Sequence, residues 1–125
     1  MIQRCNKRRS TIQNVDAVRS ILRLLGSDLR CNVLIDLATT PTDASALAAR
    51  MRCAPSTARR TLQRLTEGRM VTVEQRPGKR IYRLSKMVSV RRNGDMVDLR
   101  VGIPSGGAVA LRLLRPIDRP QVVWG

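Results

Sequence analysis

The chain has 125 residues, of which 42% are apolar: enough for one ordinary domain with a small core, and too apolar for global disorder. With no Phe, one Trp and one Tyr the core must be aliphatic, which argues against an aromatic platform for stacking single-stranded bases or RNA loops. The formal charge is +15, which points to a polyanionic partner, while the absence of His removes the usual proton shuttle near neutral pH.

Residues 1–13 hold Arg4, Lys7, Arg8 and Arg9 and read as a flexible basic arm. Asn14, Asp16 and Arg19 interrupt any signal-peptide-like apolar segment, and no run reaches the length of a membrane span. Asn14 is a cap candidate for a first helix, with Asp16 in its first turn. Val15, Val18, Ile21, Leu22 and Leu25 follow at helical spacing until Gly26. This helix is more apolar than a one-sided surface helix requires, which fits either core packing or contact with a second subunit. Ser27 caps a second helix through about Ala38, ended by Thr39-Thr40-Pro41. Thr42 is expected to cap a short third helix, Asp43 to Met51, followed by the tight turn Arg52-Cys53-Ala54. Pro55 suits the first position of a fourth helix, which runs to Glu67 with Gly68 at its end.

Strands are expected at Met70–Gln75 and Arg80–Leu84, joined by the turn Arg76-Pro77-Gly78-Lys79. Asn93-Gly94 signals a second hairpin, pairing Arg92 with Asp95, Val90 with Val97 and Val88 with Leu99. Ala108 to Arg115 fits a short helix or a strand; the helix is the reading taken. Pro116 and Pro120 punctuate a loose end, and there is no internal repeat.

The charge is concentrated. Residues 1–13 carry +4, residues 14–49 carry −1, and residues 50–92 carry +11, leaving +1 for the rest. Arg exceeds Lys by 21 to 3, which suits two-pronged contacts to phosphate and guanine, although GC-rich coding produces the same excess. On the fourth helix Ser56, Thr57, Arg59, Arg60, Gln63 and Arg64 share one side, and Ala58, Thr61, Leu62 and Leu65 the other. In a major groove Arg can bind guanine O6 and N7, and Gln can bind adenine N6 and N7. Ser56 and Thr57 stand in the first turn, where free N–H groups favour phosphate. An ordinary solvated helix face is the bland alternative. The short helix and tight turn before it, and the basic hairpin after it, favour the DNA-binding one.

At these residues the chain resembles the winged helix-turn-helix regulators, especially the ArsR-like and MarR-like groups. The stretch is DASALAARMRCAPSTARRTLQRLTEGRMVTVEQRPGKRIYRLS, residues 43–85; with Asp28–Ala38 it covers roughly half the chain. The pattern STxxRxLxxLxxxGxV is met by Ser56, Thr57, Arg60, Leu62, Leu65 and Val71. The resemblance implies a major-groove recognition helix, a wing on the minor groove or backbone, and a homodimer on a palindromic site. Arg69 stands where the pattern has Gly, so either Gly68 turns the chain one residue early or Arg69 takes an unusual backbone. The Cys-x-Cys pair of ArsR-like metal sensors is missing from Asp43–Met51, which argues against metal sensing.

The expected fold is α+β: a winged helix-turn-helix with three to four N-terminal helices, a β-hairpin wing and a second β-hairpin extension. The expected organisation is a basic arm (1–13), a DNA-binding domain (14–85), and an extension with a C-terminal segment (86–125) whose role is dimerisation, DNA contact or plain sheet extension. Arg76, Lys79, Arg80 and Arg83 surround the wing turn as phosphate contacts, and Arg8 and Arg9 of the arm fit a minor groove or phosphates. Cys5, Cys31 and Cys53 are sparse and form no CxxC pair, as expected of reduced thiols. Cys31 and Cys53 read as small buried hydrophobes, with a redox switch as the other reading. No GxSxG, Walker or HExxH spacing occurs and the acids are scattered, so no enzyme, cofactor or metal is expected. The leading function is a sequence-specific double-stranded DNA-binding regulator, homodimeric, cytoplasmic and nucleoid-associated, without membrane contact. The alternatives are an architectural DNA-coating protein, a plasmid or viral replication or partition protein, and an RNA-binding winged helix.

Overall fold

The computed structural model describes residues 15–114. Residues 15–25 are helical (α1), followed by α2 (Asp28–Thr39), α3 (Ala44–Met51) and α4 (Pro55–Glu67). Five strands complete the described chain: β1 (Val71–Arg76), β2 (Lys79–Leu84), β3 (Val88–Asn93), β4 (Met96–Gly102) and β5 (Ala108–Leu114). They form two antiparallel sheets, β1–β2 and β3–β4–β5 with β4 central. The expected arm, the Asn14 cap and the proline-punctuated end lie outside the described residues.

Local chemistry sets the helix ends. The Ser27 hydroxyl accepts the Arg30 N–H at 3.3 Å, capping α2 as expected. The cap of α3 is Asp43, not Thr42: Asp43 Oδ1 accepts the Ala46 N–H at 2.7 Å. Thr42 instead pairs its backbone with Tyr82 of β2, at 3.0 and 2.7 Å, tying the start of α3 to the hairpin. The carboxylate is one residue closer to the helix, and Thr42 is held extended by that bridge. At the end of α3, Arg52 adopts φ 56° and ψ 47°, and Cys53 N–H reaches back to Ala48 O at 3.1 Å. Pro55 is the first residue of α4, as expected. After α4, Gly68 keeps φ −81° and Arg69 takes φ 64°. Arg69 N–H donates to Thr66 O and Met70 N–H to Leu65 O, both at 3.0 Å. Both helices thus end in the Schellman pattern, with Arg where Gly is usual. Gly68 serves a different purpose: a Cβ there would collide with Leu24 Cδ1 of α1.

The core is one cluster. Leu34 of α2, Leu47 of α3, Leu62 and Leu65 of α4, Met70, Val71 and Leu99 of β4 are fully buried within it. Val88, Val101 and Val109 join the same cluster, so the three-stranded sheet packs on the helices through its inner face. α2 is buried around much of its circumference, through Cys31, Val33, Leu34, Ile35 and Leu37. No described helix is long and apolar enough to cross a membrane.

The second hairpin differs from expectation by two residues in register. Val88 pairs with Val101, Val90 with Leu99, and Arg92 with Val97, while Asn93 and Met96 flank the turn. Gly94 takes φ 65° at the first central position, and Asp95 follows as the second. That is the Gly placement of a type II′ turn, not the Asn-Gly placement of type I′. A two-residue shift keeps every side chain on its face, so the apolar pairing survives with new partners. Residues 108–114 form a strand, not the expected helix. Gly106 and Gly107, at φ 121° and 85°, reverse the chain, and β5 then satisfies the free edge of β4 from Met96↔Leu114 to Gly102↔Ala108.

Candidate nucleic-acid interface

Helix α4 is amphipathic because of what it packs on. Ala58, Thr61, Leu62 and Leu65 are buried, and Thr61 Oγ1 donates to Thr57 O at 2.8 Å, so its hydroxyl is satisfied inside the helix. Ser56, Arg59, Arg60, Gln63 and Arg64 are exposed on the other side, and Thr57 is half-buried. Gln63 Nε2 lies 3.4 Å from Glu67 Oε2. The side chains of Arg59, Arg60 and Arg64 make no hydrogen bond or ion pair with the described residues. No side chain caps α4, so the Ser56 N–H has no partner among those residues and the positive end of the helix is open.

The β1–β2 hairpin stands out from the body. Only Val71 of β1 is buried, and Tyr82 anchors β2 through its bridge to Thr42. The tip is Pro77-Gly78, with Gly78 at φ 78° between paired Arg76 and Lys79. Arg59 of α4 and Lys79 and Arg80 of the hairpin line one cleft of about 500 Å³, closed on its third side by the start of α3.

The four hairpin cations are not equivalent. Residues 75–92 contain no acid, yet Glu74 reaches two of their arginines, at 3.0 Å (Arg76 Nε) and 3.2 Å (Arg83). Arg80 Nε donates to Gln75 Oε1 at 3.2 Å, and Lys79 has no side-chain partner among the described residues. These pairs are about half exposed, so each holds its arginine weakly. Arg50, also in the basic block, is committed elsewhere. It grips Asp36 with Nε and a terminal nitrogen, the shortest contact 2.7 Å, and pins α3 to α2; that hydrogen-bonded carboxylate raises its pKa. Arg8 and Arg9 lie outside the described residues.

Cys31 is buried and its Sγ donates to Leu25 O at 3.2 Å. Burial, reinforced by Asp28, pushes its thiol above the ordinary value and so keeps it protonated. Cys53 is only partly buried, in the turn between α3 and α4.

Two features escaped the sequence reading. Glu74 is one, since its partners depend on hairpin register. The other is a second group of exposed arginines, Arg91, Arg100 and Arg112, on the outer face of the three-stranded sheet. Alternation along β3 and β4 was the available signal for it.

No family model and no curated protein matches the chain. Solved structures do. One is the solution structure of a homodimeric winged helix-turn-helix DNA-binding domain from Mycobacterium bovis, a fragment of a possible ArsR-family transcriptional regulator. It is 24% identical, with a TM-score of 0.57 over 59% of this chain and 68% of that one. A crystal structure of a fragment of a possible transcriptional regulatory protein from the same organism is 25% identical. Its TM-score is 0.53, over 57% of this chain and 76% of its own. The described residues therefore have the winged helix-turn-helix fold, an α+β fold of four helices, a hairpin and a three-stranded sheet, in which α3 and α4 are the paired helices and β1–β2 is the wing.

Proposed function

We propose that the chain is a sequence-specific double-stranded DNA-binding transcriptional regulator, acting without catalysis, metal or cofactor in the cytoplasm, on the nucleoid. The observation that carries this is the outer side of α4. Three arginines and a glutamine stand exposed over a buried Leu/Ala face, and none of the arginines is neutralised by a described carboxylate. Arg59, Arg60, Gln63 and Arg64 enter the major groove and read base edges, while Ser56 and Thr57 at the uncapped helix start take a phosphate. Arg76, Lys79, Arg80 and Arg83 carry the wing along the backbone or minor groove, and Arg8 and Arg9 extend the contact from the arm.

The working unit is a homodimer. Val15 and Leu22 of α1 support this, being 46% and 45% exposed on a helix whose other side reaches the core. The homodimeric neighbour supports it as well.

The test is Arg60→Ala, assayed on a selected site and on a scrambled duplex at one salt concentration. Loss of about 1–3 kcal/mol of discrimination is the expected result. An equal fall in affinity for both duplexes would show that Arg60 reads no base.

A further inference from the structure

The arginines beyond the wing lie on a surface of their own. In the sheet β3–β4–β5, Val88, Val90, Val97, Leu99, Val101 and Val109 turn inward. The alternate residues form the outer face in cross-strand rows: Ser89, Arg100 and Ala110, then Arg91, Asp98 and Arg112. Three arginines and one carboxylate leave this patch at +2. Asp98 is engaged by Arg112 alone, with Nε 2.9 Å from Oδ1, so Arg91 and Arg100 have no partner among the described residues. Ser89 and Ala110 are small, so the arginines border a shallow groove of about 490 Å³. No aromatic ring lines it, which disfavours base stacking, and the guanidinium forks at the edge of its low floor match phosphate oxygens.

We infer that this outer sheet face is a second, backbone-only contact for duplex DNA, with Arg91 and Arg100 each taking a phosphate. The inference rests on the DNA-binding function proposed above and adds to it a surface outside the helix-turn-helix and its wing.

The test isolates the face. In a chain carrying Arg59→Ala, Arg60→Ala and Arg64→Ala, residual binding to a random 40-base-pair duplex is measured across a salt series, with and without Arg91→Gln and Arg100→Gln. The pair is expected to weaken residual binding about tenfold at low salt and to lower the slope of log K against log salt by roughly 1.8, at about 0.9 for each phosphate no longer neutralised. Lys86→Gln with Arg92→Gln, the same charge removed from exposed positions off this face, is expected to leave the slope near its starting value. Circular dichroism and thermal melting check that each variant is folded. Equal losses from both pairs would reduce the effect to net charge and overturn the inference, as would a change of oligomeric state with no change of slope. If the wild-type chain binds no duplex, the proposed function falls too. If wild-type site preference depends on Arg60 but the Arg91/Arg100 pair leaves residual binding intact, only the second surface is refuted.

Discussion

Arg52 and Arg69 both hold left-handed backbone, at φ 56° and φ 64°, in the two turns that frame α4. An L-residue with a Cβ costs roughly 1–2 kcal/mol there, and Gly recovers only part of that because it gains freedom when unfolded. Arg69→Gly is therefore expected to stabilise the fold by a net amount of about 0.5–1 kcal/mol, read as a higher urea midpoint at constant m. A lower midpoint would mean that the Arg69 side chain contributes more than its backbone costs. Glu74 is the opposite case, a residue whose weight is electrostatic. It sits between Arg76 and Arg83, so every phosphate those arginines take must compete with it. Glu74→Gln should raise duplex affinity several-fold and steepen the salt dependence by up to about 1.8, the equivalent of two phosphates. Unchanged affinity would mean that neither arginine meets DNA.

The elements differ in how far the sequence foretold them. α2 and α4 were legible because their signals are local: Ser27 before the first turn, Pro55 at the first position, and Leu62 and Leu65 at helical spacing. The face of α4 followed from the same spacing. Strand pairing was less legible because alternation has period two. A hairpin shifted by two residues presents the same faces, and the choice between them lay in whether Gly94 takes the first or second central turn position. β5 is a strand although Ala-Leu-Arg-Leu-Leu is a good helix sequence by propensity; the free edge of β4 overrides that preference. The Thr42–Tyr82 bridge and the Glu74 pairs were hidden for a related reason, since both depend on register between segments distant in sequence. The wing tip carries the prediction at this scale. Lys79→Ala with Arg80→Ala should weaken binding to all duplexes alike and lower the salt slope by roughly 1.8, without altering site preference. A change of preferred site would place base reading in the wing.

Across the whole molecule the charge is divided by structure and not merely concentrated in sequence. Of the basic block, Arg50 is held by Asp36, and Arg76 and Arg83 share Glu74, while Arg59, Arg60 and Arg64 keep their charge for an outside partner. In the proposed function the +15 total draws the chain to any polyanion, and the uncommitted arginines on α4, a helix packed through Leu62 and Leu65, discriminate among duplexes. A coating protein would use only the first property, a regulator both. The decisive measurement is the ratio of affinities, at about 0.15 M salt, for a site selected from random duplexes and for a scrambled duplex of equal length. A sequence-specific regulator is predicted to show a ratio of about 10³ or more. A ratio below roughly tenfold, with a steep salt slope on both duplexes, would contradict base reading by α4 and leave a protein that binds DNA by charge and shape alone.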